Sequence, residues 1–233
     1  PEKMKRDLRH DYELLKKDGW WARFLSNHDK PRQVSLYGND TTFREVSAKM
    51  LASYLHTLPG TPFVFQGEEL GMTNVAYPSI EDYDDIDTKN AYHTMLEQGI
   101  TPEKALAEAQ RISRDNARTP MQWDDSANAG FTTGIPWIRV NPNFQEINAQ
   151  RQVGDPESVF SYYKELIRLR HENAIIVYGD YELLEPEHKD LFIYRRSLED
   201  ANLTVICNFS DHEVTIPETV QKCISKDSTI LIG

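Results

Sequence analysis

Cysteine is scarce: 233 residues hold two, Cys207 and Cys223, and neither stands in a CxxC or His-spaced pattern that a zinc site needs. Both lie in apolar, strand-like runs, so both are expected to be buried thiols rather than a disulfide. Long hydrophobic runs are missing too. Nothing approaches the roughly 20 apolar residues that span a bilayer. The opening PEKMKRDLRH has no signal-peptide pattern, and a cytoplasmic protein without membrane contact is expected. Positive charge is in deficit, with 26 Lys and Arg against 37 Asp and Glu. The resulting net charge of −11 argues against nucleic acid as a partner, because binding phosphates takes a surplus of Lys and Arg. A neutral small substrate is compatible with such a surface. Neither a metal nor a cofactor is expected. Repeats, low-complexity tracts and Ser/Gly linkers are absent, so the parts of the chain should pack closely. An initiating Met is also absent and the chain opens in a charged helical stretch. This suggests a piece of a longer protein, and the missing signals bear on that piece alone.

What is present is ordinary for a globular protein, 39% hydrophobic and 27% charged, at a length that allows one large domain or two modest ones. Residues 6–17 read as a helix stopped by Asp18-Gly19, and 20–25 as a short apolar strand ending in Ser26-Asn27-His28-Asp29. Thr42-Phe43-Arg44-Glu45 fits a capping box for a helix whose apolar face is Phe43, Val46, Met50, Leu51, Tyr54, Leu55 and Leu58. Pro59-Gly60 ends it, and 62–65 is a continuous apolar strand ending in Gln66-Gly67-Glu68-Glu69. Strand, helix, strand implies parallel β/α architecture. From 73 to about 155 the chain is polar and loop-rich, with one helix at 102–112 that Thr101 can cap and Pro102 can start; a last long helix begins at Asp155-Pro156. Beyond Asn173 the runs at 181–184, 191–196, 203–209, 214–216 and 229–232 are short and β-type, spaced as in a small antiparallel sandwich. Two domains follow, 1–173 and 174–233.

In β/α folds, function gathers at the carboxyl ends of the strands, where both polar bursts stand. Asn27-His28-Asp29-Lys30-Pro31-Arg32 could hold sugar hydroxyls and stabilise developing positive charge, or could be a polar turn with His28 merely hydrogen-bonded. Glu68 and Glu69 invite pairing with Asp29 as the two carboxylates of a glycosidase. Acids beside Gly at a strand end more often accept backbone hydrogen bonds, and that reading is preferred. In the third cluster, Arg114 and Arg118 stand four apart within Arg114-Asp115-Asn116-Ala117-Arg118-Thr119-Pro120-Met121-Gln122-Trp123-Asp124. They suit a sugar clamp or an internal salt-bridge turn, and periodicity does not separate the two.

Taken together, FLSNHDKPR, GTPFVFQGEELGMTN, SRDNARTPMQWDDSANAGFTTGIPWIRVNPN and DPESVFSYYKELIRLR, in this order over residues 19–185, resemble the carboxy-terminal half of the α-glucosidase branch of the α-amylase superfamily. The likeness is greatest to oligo-1,6-glucosidases and dextran glucosidases. NHD is the least specific of these stretches. The resemblance implies α/β plus all-β architecture: the last strands and helices of a (β/α)8 TIM barrel followed by a carboxy-terminal antiparallel β-sandwich.

It also implies site roles. Asp29 takes the place of the third catalytic carboxylate, which binds sugar hydroxyls and favours ring distortion, with His28 as hydroxyl donor and Asn27 beside it. Arg118, with Arg114 in reserve, takes the place of the arginine that fixes the glucose at the non-reducing chain end. The nucleophilic Asp and proton-donating Glu belong to strands four and five of the barrel, upstream of this sequence, so the chain alone is expected to be inactive. Glu68 and Glu69 then support the site from behind at most. Lys30 stands where many relatives have Gln or Leu, and Ser26 where others carry Asn or Glu, which leaves preferences near the leaving group open. Linkage specificity is not legible. Trehalose-6-phosphate hydrolase and sucrose isomerase share these motifs, and the non-catalytic heavy chain of amino-acid transporters is the non-enzymatic alternative. Intact NHD and RDNARTPMQW favour an enzyme acting on small oligosaccharides.

Overall fold

The structure, a computed structural model, describes residues 2–15, 19–224 and 227–233. The chain opens with α1 (Glu2–Leu15), β1 (Ala22–Arg23), α2 (Gln33–Tyr37), α3 (Arg44–Thr57) and β2 (Thr61–Pro62). It continues through α4 (Ile86–Glu97), α5 (Pro102–Ile112), α6 (Asp115–Arg118), α7 (Ala149–Gln152), α8 (Val159–Glu172) and α9 (Ala174–Tyr178). It ends with β3 (Asp180–Leu184), β4 (Leu191–Leu198), β5 (Ala201–Asn208) and α10 (Glu218–Gln221). Two compact units result: Pro1–Arg23 with Lys49–Phe63 and Lys164–Gly233, and Phe24–Ala48 with Val64–Tyr163. Among the described residues no helix is long and apolar enough to cross a membrane.

In the first unit the expected helix at 6–17 is α1, which begins earlier; residues 16–18 of that expectation lie outside the described residues. The two apolar runs pair in parallel as expected, Ala22 opposite Thr61, but over two residues each. Flanking bonds from Thr61 N to Trp21 O and from Phe63 N to Arg23 O, both 2.7 Å, extend the pairing. Pro62 contributes no donor to it.

The carboxy-terminal runs give one three-stranded antiparallel sheet with β4 central, Phe192 opposite Cys207 and Tyr181 opposite Arg196. Because side chains alternate along a strand, β4 buries both faces. Leu191 and Ile193 pack with Val220, Val214 and Ile216 on one side. Phe192 meets Tyr54 edge-on at 5.1 Å on the other. Segments 214–216 and 229–232 are not strands. The former still covers the sheet through Val214 and Ile216, whereas Ile230 is exposed. Cys207 is buried as expected and burial pushes its thiol up to about 12, but Cys223 is exposed, because the run around it ends in a short helix rather than a strand.

In the second unit the segment expected to be loop-rich, with one helix, holds a second long helix, α4, joined to α5 through Gly99 at φ +81°, and the four-residue helices α6 and α7. α5 starts at Pro102 as expected, although the Thr101 side chain forms no cap bond to the helix backbone. Val75, Tyr77, Ile80, Tyr83, Ala109 and Ile138 form one apolar core, and Leu70, Met72 and Ile147 another. The start of α3 also differs from expectation. Asn39 Oδ1, rather than Thr42, accepts the backbone N–H groups of Thr41 and Phe43 at 3.0 and 3.2 Å, and Phe43 and Val46 are exposed.

Candidate active site

The site lies wholly within the second unit. After Ser26 the chain turns tightly, Lys30 N donating to Asn27 O at 3.1 Å and Asp29 N to Asn27 Oδ1 at 2.9 Å. This Asx-type bond is what Asn at a turn start provides, and it thrusts His28 and Asp29 outward. The Asp29 side chain is 49% exposed and that of His28 74%.

Three cationic or ionisable groups converge on the Asp29 carboxylate. Arg118 Nη2 donates to Oδ1 at 2.7 Å, while Arg118 Nε donates to the His28 carbonyl at 3.0 Å. His28 Nε2 stands 3.1 Å from Oδ2, and Arg114 Nη1 lies 4.0 Å from Oδ1. Asn27, His28, Asp29, Arg114 and Arg118 are therefore gathered in one place, although 84 residues or more separate NHD from the arginines in sequence.

Arg114 and Arg118 are held differently. Arg114 is bound to Asp85 through Nε, at 3.0 Å, and Nη2, and Asp87 Oδ2 is 2.7 Å from Nη2. Burial alone would raise the Asp85 carboxyl, but its bonds from Arg114 and Thr88 outweigh it and hold the group at about 2. Arg118 has Asp29 as its carboxylate partner. Sequence reading missed Asp85 and Asp87, which stand in the acidic run EDYDDID that leads into the first turn of α4.

Arginines and acids from three segments are locked by backbone bonds. Asp115 Oδ2 accepts from the N–H groups of Asp84 and Asp85 at 2.7 and 3.0 Å, and Asn116 Oδ1 from Val75 N at 2.9 Å. Arg32 is buried, and burial pulls its guanidinium down to about 10.

Glu68 and Glu69 make no pair with Asp29. Glu69 Oε2 accepts from Gly67 N at 2.7 Å, the turn role expected of an acid beside Gly. Glu68 is buried, its Oε1 accepting from the Ser26 hydroxyl and its Oε2 without a partner. Burial raises its carboxyl to about 7, against the lowering influence of Ser26, the Phe65 backbone and Arg32. Among the described residues no group of three or more His, Cys, Asp or Glu is placed to hold a metal ion.

Comparison with known proteins gives this geometry its context. The alpha-amylase family profile (alpha amylase, catalytic domain) matches residues 1–179. An oligo-1,6-glucosidase of Parageobacillus thermoglucosidasius is 53% identical over 198 residues, covering 84% of this chain and 35% of the relative. Among solved structures, a Bacillus licheniformis trehalose-6-phosphate hydrolase superposes with a TM-score of 0.88 at 44% identity, over 94% of this chain and 40% of its own. A trehalulose synthase superposes with a TM-score of 0.85 at 47% identity, over 89% and 38%. The chain thus spans little more than a third of the length of its relatives.

Proposed function

Because this chain belongs to the alpha-amylase family, we propose that it is the carboxy-terminal part of a retaining α-glucosidase. The enzyme cleaves α-1,6 or α-1,4 glucosidic bonds at the non-reducing ends of short oligosaccharides. The observation that carries this reading is the approach of Arg118 to Asp29 at 2.7 Å inside the NHD turn. A partly exposed carboxylate edged by arginine and histidine offers acceptors and donors to vicinal sugar hydroxyls at once.

Hydrolysis with retention proceeds by double displacement: a carboxylate nucleophile forms a glucosyl-enzyme, and an acid protonates the leaving oxygen and then activates water. Those two groups are assigned to strands four and five of the barrel, ahead of residue 1. Asp29 binds the hydroxyls of the reacting glucose, and as the ring flattens and gains positive charge its carboxylate favours the transition state over the substrate. Arg118 fixes the terminal glucose and the pose of Asp29, with Asn27 and His28 beside Asp29 in the same turn. Arg114, neutralised by Asp85 and Asp87, has the smaller share.

In this reading residues 1–173 carry the seventh and eighth strands of a (β/α)8 barrel, β1 and β2, and 174–233 a β-sandwich of which β3 to β5 are one sheet. The parallel pairing of β1 with β2, and the cover that Val214 and Ile216 give β4, support it. The two free thiols suit a reducing compartment, and a cytoplasmic location belongs to the same proposal.

The test is to assay the whole protein on isomaltose, maltose, trehalose 6-phosphate and sucrose, following the anomer released. Fast release of α-glucose from isomaltose or maltose is expected. Preference for trehalose 6-phosphate, or conversion of sucrose to an isomer, would move the protein to the enzymes of its structural neighbours. Inertness on all four would favour a non-catalytic relative.

A further inference from the structure

Arg32 lies three residues beyond Asp29, 1% exposed, and every hydrogen bond its guanidinium makes is to a neutral oxygen. Nη1 donates to Gln66 O at 2.6 Å, Nε to Asn116 O at 3.0 Å, and Nη2 to Ala117 O at 3.3 Å and Thr119 Oγ1 at 3.5 Å. The Phe65 ring lies 5.5 Å below the guanidinium, and Arg32 N donates to Asn74 Oδ1 at 2.8 Å.

The Glu68 and Glu69 carboxyls act on this cation through space without bonding to it, and burying a cation with its hydrogen bonds made to carbonyls is a poor way to gain stability, since well-packed apolar side chains commonly do as well or better. The arrangement therefore calls for a reason in geometry. Asn116 and Ala117 are the two residues before Arg118 in the four-residue helix α6, where carbonyls lack backbone partners further along the helix and Asn116 O receives, besides Arg32, a 3.4 Å bond from the Thr119 hydroxyl. Arg32 caps that end. The same planar fork holds Gln66, in the second polar burst, so one side chain joins all three polar clusters. Lysine could not do this, because a single ammonium lacks the fixed, divergent donors of guanidinium.

We propose that Arg32 is the positioning residue of this site: by holding the carbonyls of Asn116 and Ala117, it sets Arg118 against Asp29 and so determines how tightly the terminal glucose is fixed. The inference rests on the assignment of Arg118 and Asp29 to the substrate site.

The experiment is a double-mutant cycle in the whole protein, using Arg32→Lys, Arg118→Ala and their combination, with isomaltose as substrate and melting recorded for each. If Arg32 acts through Arg118, Arg32→Lys lowers kcat/KM on the order of 100-fold in the native background, the scale of a misplaced binding group. The same change costs less than about threefold once Arg118 is alanine, because contacting residues in one network are not additive. A purely structural Arg32 would lower melting and kcat/KM alike in both backgrounds, and that additive result overturns the proposal. So does native kcat/KM in Arg32→Lys. Should Arg118→Ala by itself leave kcat/KM unchanged, the assignment of the site falls and the proposal with it; additivity with a damaging Arg118→Ala removes the proposal alone. If Arg32→Lys does not fold, Phe65→Leu takes its place. It removes the ring beneath the guanidinium, and the same coupling to Arg118→Ala is expected from it, with additivity again overturning the inference.

Discussion

Arg118 bridges the NHD turn with two nitrogens, Nε on the His28 carbonyl at 3.0 Å and Nη2 on Asp29 Oδ1 at 2.7 Å. The carboxylate is thus aimed by an arginine that also has donors to spare. Asp29→Asn keeps the shape and removes the charge. In the whole protein kcat should fall by about 2–4 kcal/mol of barrier, as for other deletions of transition-state electrostatics. Its melting temperature should stay near that of the native protein, since the side chain is half exposed. Native kcat, or loss of activity only with unfolding, would end the assignment.

Arg114 and Arg118 should part company under alanine substitution. Arg118→Ala removes a grip on substrate and lowers kcat/KM with little change in melting. Arg114→Ala strands the buried Asp85 carboxylate, and about 1–3 kcal/mol of stability should go with it. Comparing kinetics and melting for the two variants checks the division; equal melting losses would make both arginines structural.

Much of this was legible in the chain, and the illegible parts share a cause. Continuous apolar runs located β1, β2 and the three strands of the antiparallel sheet, because burial acts on residues near in sequence. RDNARTPMQW and NHD were visible as polar clusters, and family likeness brought them together where spacing could not. By contrast, Asp85 meets Arg114 across 29 residues of chain, and nothing local in EDYDDID distinguishes a buried ion-pair partner from a solvated acid. α4 was missed because IDTKNAYHTMLE has little apolar periodicity, its helix held by packing with α5 instead. Residues 214–216 failed as a strand for the opposite reason: their apolar side chains are used for cover without backbone pairing.

Arg196, on β4, offers a test within the first unit. Its buried guanidinium donates to Thr57 O at 2.6 Å, Ile176 O at 2.9 Å and Gly179 O at 2.6 Å. Arg196→Leu leaves these carbonyls without their donor, at about 1–3 kcal/mol for each that water cannot reach. Melting should fall markedly while KM for isomaltose in the surviving folded protein is unchanged. A shifted KM at native stability would contradict a scaffold role.

Glu68 should make stability depend on pH in an unusual direction. Burial raises its carboxyl from an ordinary value near 4.5 to about 7, so between those values the folded protein carries a proton that the unfolded chain has released. The contribution of this group is therefore complete below about pH 4.5 and is lost as pH rises through about 7. The full swing is about 3 kcal/mol by the linkage relation. Asp85 works in the opposite sense: held at about 2, it contributes above the ordinary Asp range and loses that contribution only in strong acid. A pH series of melting temperatures for the native protein and Glu68→Gln separates the two. The native protein should lose stability relative to the variant from pH 5 to pH 8, because glutamine stays neutral throughout while keeping an acceptor for the Ser26 hydroxyl. Parallel curves over that range would mean that Glu68 is ionised in the fold, with Arg32 rather than burial setting its charge state.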